Sequence, residues 1–173
     1  MRGDECTRPR AQYQVLDAEA IEESVSAILS EVNLCAVAVA DSAGSWIASM
    51  YYAAKNSREL FVLTPPASRH ARAWHLNPTV AVAIYDSTQA FEGMKRGLQL
   101  LVDVKEVATT DALDALTAYG QRFPSMKEWL SGPDDFEHIE SRFFQLTVLR
   151  AKVFDEPRFG AEMWIEASRE ELG

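Results

Sequence analysis

Cysteine is nearly absent from this chain: Cys6 and Cys35 are the only two in 173 residues. That is too few for a disulfide framework or a zinc site. Cys35 lies in an apolar run, where a reduced, buried thiol is the default. No run approaches the roughly 18 apolar residues of a membrane-crossing helix, and the N-terminus lacks the apolar core of a signal peptide. A cytoplasmic protein with no membrane partner is therefore expected. Positive charge is scarce, with 17 Lys and Arg against 26 Asp and Glu and a net charge of −9. Such a surface disfavours nucleic acid as a main partner. His70, His75 and His138 lack metal-ligand spacing, and no carboxylate pattern completes a metal site. Phosphate-binding glycine loops and serine-nucleophile motifs are missing too.

What is present is an ordinary globular core, with 47% hydrophobic residues and a length suited to one well-buried domain. Residues 1–16 carry Arg2, Arg8, Pro9 and Arg10 with little apolar content and read as a flexible lead-in. The rest, 17–173, reads as a single domain ending in a tail. Asp17 can cap a helix whose face is Ile21, Val25, Ile28, Leu29 and Val32. Strands follow at Asn33–Ala40, Trp46–Ala53 and Leu60–Leu63, separated by the turn signals Asp41–Ser45 and Lys55–Arg58. Connections this short imply an antiparallel meander. Further strands are expected at Thr79–Tyr85, Arg96–Val107 and Arg142–Asp155, with a polar loop from Asp86 to Lys95. A helix capped by Thr109-Thr110-Asp111 runs to Arg122 with Leu113, Leu116 and Tyr119 along one stripe, and a short helical piece lies at Met126–Leu130. The tail holds Phe159, Met163, Trp164 and Ile165, too apolar to be purely disordered. About six strands with late helices predict a mainly β, α+β fold, an antiparallel sheet closed into a small barrel with flanking helices.

The most informative stretch is Leu60–Pro78, LFVLTPPASRHARAWHLNP. Its strand is stopped by Thr64-Pro65-Pro66, because proline offers no ladder N–H and restricts the residue before it. Ser68 caps a short helix that Asn77-Pro78 closes, with Ala67, Ala71 and Trp74 as its apolar stripe. Arg69 and Arg72 lie in the first turns, where the helix already carries partial positive charge. A bound anion would relieve that conflict, using backbone N–H groups, the Ser68 hydroxyl and the guanidinium forks, which suggests a phosphate site. Solvated arginines opposite an apolar stripe are the competing reading.

The order of these elements and several short words resemble the pyridoxamine 5'-phosphate oxidase-like FMN-binding split barrels. The words are Ile47-Ala48-Ser49-Met50, Ser68-Arg69-His70-Ala71, Asn77-Pro78 and Gly97-Leu98-Gln99. The chain is similar in particular to the YhbP-like branch, at Arg96-Gly97-Leu98-Gln99, Tyr119 with Arg122-Phe123-Pro124, and Phe159-Gly160 with Met163-Trp164. Two departures stand out: Val102 replaces a frequent glycine, and His70 replaces the lysine of the oxidase proper. The resemblance implies a six-stranded antiparallel split β-barrel that binds FMN. Ser68 and Arg69 would grip the phosphate and Gln99 would reach the cofactor. The residues themselves add Arg72 to the clamp and, at Ala48, Ser49 and Met50, side chains small or adaptable enough for a ring to approach. Thr64 and His70 complete the expected cofactor-binding set. The resemblance also implies a homodimer with the cofactor at the interface and the Phe159–Trp164 tail near the partner's flavin.

The leading expectation is an FMN-dependent oxidoreductase acting on a small organic molecule, the flavin supplying the redox chemistry. A deazaflavin or haem on the same fold is an alternative. A non-catalytic flavin-binding or regulatory protein is another, since no residue compels a catalytic acid or base.

Overall fold

In the computed structural model, the structure describes residues 18–172. The expected lead-in, the Asp17 cap and Cys6 lie outside the described residues. Helix α1 (Ala18–Glu31) precedes strands β1 (Leu34–Asp41), β2 (Gly44–Ala54) and β3 (Glu59–Thr64). Helix α2 (Arg69–Leu76) leads into β4 (Thr79–Tyr85) and β5 (Arg96–Glu106). Helix α3 (Leu113–Arg122), 3-10 turns at Pro124–Glu128 and Pro133–Glu137, and the long β6 (Arg142–Asp155) come next. The chain ends with the one-turn α4 (Glu156–Phe159) and β7 (Trp164–Ser168) before a final 3-10 turn.

All strand pairs are antiparallel, in the order β3-β2-β1-β4-β5-β6-β7, and β3 also pairs with β6. That closure makes the expected six-stranded barrel, with β7 added outside the ring. The tail thus contains a strand that its polarity pattern did not announce. The strand β6 serves three neighbours. Residues Arg142–Thr147 pair with β3, and Arg150–Phe154 pair with β7. The change falls at Leu149, the extra residue of a bulge opposite Leu101 and Val102. A bulge bends and twists its strand, so the two halves of β6 can serve different sheets.

Alternation assigns the faces. Leu60 and Val62 of β3, Tyr52 of β2 and Phe144 and Leu146 of β6 point into the barrel, which α1 plugs with Ile21, Val25, Ile28 and Leu29. The opposite faces of the same strands supply Ala53, Phe61 and Phe143 to a second core under α3, with Ala115, Leu116, Tyr119, Met126, Leu130 and Phe136. This double coverage explains why β3 is a continuous apolar run rather than an alternating one. Thr109-Thr110-Asp111 forms a 3-10 turn instead of capping α3, whose first turn has no side-chain cap. The C-terminus of α1 is capped from a distance. Tyr52 Oη donates to the Leu29 carbonyl at 3.0 Å, and Arg122 donates to the carbonyls of Leu29 (2.7 Å) and Val32. A cation is favoured at that end of a helix. Along the same helix, buried Asp155 accepts from Ser24 Oγ (2.5 Å) and from Arg96 Nε (3.1 Å).

One join between strands is made by a side chain. The β2–β3 ladder pairs Ala54 with Leu60, Ala53 with Phe61 and Tyr52 with Val62, and stops there. In place of the next rung, Tyr119 Oη accepts from the Leu63 amide (3.1 Å) and donates to the Tyr51 carbonyl (2.8 Å). The phenol satisfies the two backbone groups that the parting strands would leave bare. Because Tyr119 is buried, Tyr119→Phe should cost about 1–3 kcal/mol of stability, the usual penalty for stranded buried partners. Urea denaturation would measure that loss, and the Leu63 amide should exchange faster with solvent while the Val62 side of the ladder keeps its protection.

Candidate functional site

Where β2 and β3 part, a cavity of about 540 Å³ opens, within the size range of small-molecule sites. Its floor is Ser49, Met50 and Tyr51 of β2 with Leu63 and Thr64 of β3, and His70 of α2 closes one side. The far wall comes from α3 and the turn after it, Tyr119, Phe123, Ser125, Met126 and Trp129. Tyr51 meets Phe123 edge-on at 5.5 Å between ring centres, and Phe123 lies 5.4 Å from Tyr119. No Lys, Arg, Asp or Glu lines this cavity. Its polar side-chain groups are hydroxyls, one imidazole and the Trp129 indole N–H. Such walls suit a flat, conjugated, largely apolar molecule with a few hydrogen-bonding atoms on its edge.

His70 is the side chain whose state matters most. Its Nε2 lies 2.7 Å from the buried Thr64 hydroxyl, and its ring packs 5.0 Å from that of Trp74. Burial lowers its pKa from the usual 6.5, because a half-buried imidazole is poorly solvated when charged. At neutral pH it is an uncharged group able to donate or accept.

Ser68 caps α2 as expected, its Oγ accepting from the Ala71 amide at 3.3 Å. Arg69 does not stand free. Its Nε and Nη2 grip both carboxylate oxygens of Asp41 at 2.7 and 2.8 Å, Nη2 also reaches the Gly44 carbonyl at 3.2 Å, and Trp46 stacks on the guanidinium at 5.0 Å. Gly44 holds a φ of 105°, open to glycine at little cost, in the tight turn that brings Asp41 and this carbonyl together. The anion that the arginines at this helix start call for is therefore supplied within the chain. Arg72 is exposed and donates to the Ala67 carbonyl.

Of the nine residues expected to bind a cofactor, the cavity gathers Ser49, Met50, Thr64 and His70. Ser68, the N-cap of α2, and Arg69 and Arg72 on that helix do not line it. Ala48 is buried on the opposite face of β2, paired with core residue Val37. Gln99 is exposed in a separate groove of about 190 Å³, near Tyr85, Arg96 and Phe154. The register Ser49–Ala36–Ala83–Gln99 puts three strand spacings between them, about 14 Å. Gln99 thus shares a sheet face with Ser49 but not a cavity. Gly97 is needed where it stands, since a Cβ there would come within 3.1 Å of the Ile84 carbonyl and of Tyr85 Cβ.

The aromatic wall was not legible as a site. Tyr119, Phe123, Met126 and Trp129 recur four, three and three residues apart, a helical spacing that ordinary core packing also produces. Among the described residues no three His, Cys, Asp or Glu side chains gather to hold a metal, and no helix is long and apolar enough to cross a membrane.

No protein-family model matches the chain, and no curated protein does. Solved structures match its fold closely. A heme-binding protein from Mycobacterium smegmatis superposes with a TM-score of 0.69 at 15% identity, over 88% of this chain and 59% of that one. A Clostridium acetobutylicum protein related to general stress protein 26, of the pyridoxinephosphate oxidase family, gives 0.61 at 12% identity over 91% of this chain and all of its own (100%). This chain is a split barrel of the pyridoxamine 5'-phosphate oxidase-like fold. HutZ, a heme storage protein from Vibrio cholerae, shares the fold at 21% identity and a TM-score of 0.58, over 73% of this chain and 89% of that one. The finer likeness to the YhbP-like branch finds no support in these matches. The split barrel spans only 59% of the length of the Mycobacterium smegmatis protein.

Desolvation of His70 makes stability pH-dependent. Its folded pKa lies below the unfolded value, so unfolding takes up a proton and stability falls as pH drops below about 6.5. Replacing His70 with Gln removes that contribution. The difference in urea midpoint between wild type and His70→Gln should be flat above pH 7.5 and should shift in favour of the variant toward pH 5.

Proposed function

We propose that this split barrel binds a flavin, FMN in the first instance, and uses it for redox chemistry on a small organic molecule. The observation that carries the reading is the cavity at the β2–β3 split, with its aromatic walls, hydroxyl edge groups and neutral imidazole. The ring would lie against Ser49, Met50 and Thr64, with His70 and Ser125 within reach of edge atoms. These groups fit an isoalloxazine, which is flat and apolar on its faces and polar on its rim. The phosphate end fits less well, because Asp41 already occupies the Arg69 fork. A bound flavin would supply hydride or electron transfer, while the chain's residues would orient the ring and exclude water.

A second reading, haem, has its own support. His70 offers a neutral imidazole to the cavity, the state that iron ligation requires. Matching folds include the heme-binding protein of Mycobacterium smegmatis and the heme storage protein HutZ.

We infer further that the working unit is a homodimer. The outer sheet face carries Ile47, Ala38, Ala81 and Leu101 in one row, and Tyr51 and Leu34 in another. Ile47 and Tyr51 are 65% and 60% exposed, so the face presents a broad apolar surface. Gln99 lies on this face, too far from its own cavity to reach a ring there. A second copy laid face to face would bring Gln99 toward its partner's ring and bury the apolar rows.

Titration of the protein with FMN and with haemin separates the two readings by spectrum, perturbed flavin bands against a shifted Soret band. Ser49→Trp fills the floor of the cavity from an exposed position, and should weaken ring binding by about tenfold or more, equivalent to about 1.4 kcal/mol or more, without moving the unfolding midpoint. Unchanged FMN affinity in that variant would place the flavin elsewhere. His70→Ala should abolish haem ligation but spare most flavin binding.

Leu101→Glu tests the assembly. Sedimentation should show a dimer for wild type and a monomer for the variant, with weaker FMN binding in the monomer if Gln99 crosses between copies. A wild-type monomer that holds FMN tightly would refute the shared site.

A further inference from the structure

The Arg69–Asp41 pair joins the start of α2 to the β1–β2 turn, and no core packing requires it. Both side chains are partly exposed, 32% and 21%. The two charge-assisted bonds are parallel, the fork geometry that guanidinium makes with carboxylates and with phosphates alike. Trp46 covers one face of the guanidinium and the Gly44 carbonyl takes a further N–H. The fork is thus oriented, stacked and already filled. Arg69 is also the residue before His70, whose imidazole lines the cavity. The pair does not line the cavity, but a polar tail running from a ring at His70 along the start of α2 would meet this fork.

We propose that Asp41 is a specificity-determining residue, a resident carboxylate that competes with a ligand's phosphate for the Arg69 fork and so sets the preference between a phosphorylated flavin and its unphosphorylated form. This role rests on the flavin reading of the cavity and adds to it a residue that neither the sequence pattern nor the resemblance singled out. Magnitudes show why competition matters. A phosphate monoester carries about 1.5 to 2 negative charges at pH 7 against one for Asp41, so it can displace the carboxylate. Its net gain is only the difference between the two pairings, plus any contribution from Arg72, which makes no salt bridge among the described residues but whose charge also acts on Asp41. With Asp41 in place the site discriminates weakly. Without that charge the same fork would strongly favour the phosphate. Mild acid would not relieve the competition, because hydrogen bonding from Arg69 holds the Asp41 carboxyl down at about 2.

Asp41→Asn isolates the charge. The amide oxygen can still accept from the Ala43 amide, the 2.8 Å bond that closes the turn, so the hairpin is preserved. FMN and riboflavin are titrated into wild type, Asp41→Asn and the double variant Asp41→Asn/Arg69→Gln, with binding followed by flavin fluorescence. Wild type should bind the two flavins with dissociation constants within about tenfold of each other. Asp41→Asn should tighten FMN by about tenfold or more while riboflavin stays within about twofold. The double variant should lose that gain. An unchanged FMN-to-riboflavin ratio in Asp41→Asn, or a gain that survives loss of Arg69, overturns the role of Asp41 while leaving the flavin reading intact. Failure of both flavins to bind any of the three proteins overturns the flavin reading itself, and the role of Asp41 with it.

Discussion

A single phenol holds the site open. The β2–β3 ladder could run one rung further, and instead the Tyr119 hydroxyl takes that rung's two hydrogen bonds, from the Leu63 amide and to the Tyr51 carbonyl. Backbone groups cannot be left bare in a protein interior, so strands can part only where something answers for them. Tyr119 does so from a helix on the outer side of the barrel. Its placement depends on the second core, in which Phe61 and Phe143 seat α3. The cavity is therefore a consequence of how α3 packs as much as of how the barrel closes.

Charge is distributed around this cavity with similar economy. Its lining has no charged side chain; of the cations that adjoin lining residues in sequence, Arg69 is matched by Asp41 and Arg122 is spent on the α1 carbonyls. His70 is kept neutral by burial. In a low-dielectric pocket an unpaired charge would be costly, and each candidate charge here is either compensated or outside. The cavity is left selective for shape and edge hydrogen bonds rather than for net charge. Elsewhere the same logic serves structure: Arg122 caps α1, and Arg96 and Ser24 satisfy the buried Asp155.

Periodicity and punctuation alone determined most of the secondary structure. Apolar runs bounded by Asp41–Ser45, by Lys55–Arg58 and by Thr64-Pro65-Pro66 place β1, β2 and β3 within a few residues, because short-range sterics act on near neighbours. The Ser68 cap was legible for the same reason. Thr64 and His70, both named in the expected cofactor-binding set, lie six residues apart across one short loop and line the same cavity. Ser49 and Met50 were named from the resemblance and stand on the floor of the same cavity. The β7 strand was not legible, since Trp164–Ser168 becomes a strand only by pairing with the second half of β6.

Only the tertiary structure decided which of these residues share a cavity and which are already spoken for. Asp41 and Arg69 are 28 residues apart, and nothing in local pattern pairs a turn aspartate with a helix-start arginine. Gln99 falls outside the cavity because sheet order inserts β1 and β4 between it and Ser49. The wall of Tyr119, Phe123, Met126 and Trp129 faces β2 and β3 because Phe143 and Phe61 dock α3 there. A helical aromatic stripe looks the same in sequence whether its far side meets core or empty space. Hydrophobic contact is non-directional and acts between residues far apart in the chain, so the site's composition emerged with the packing, while its strands and caps were already set by their own residues.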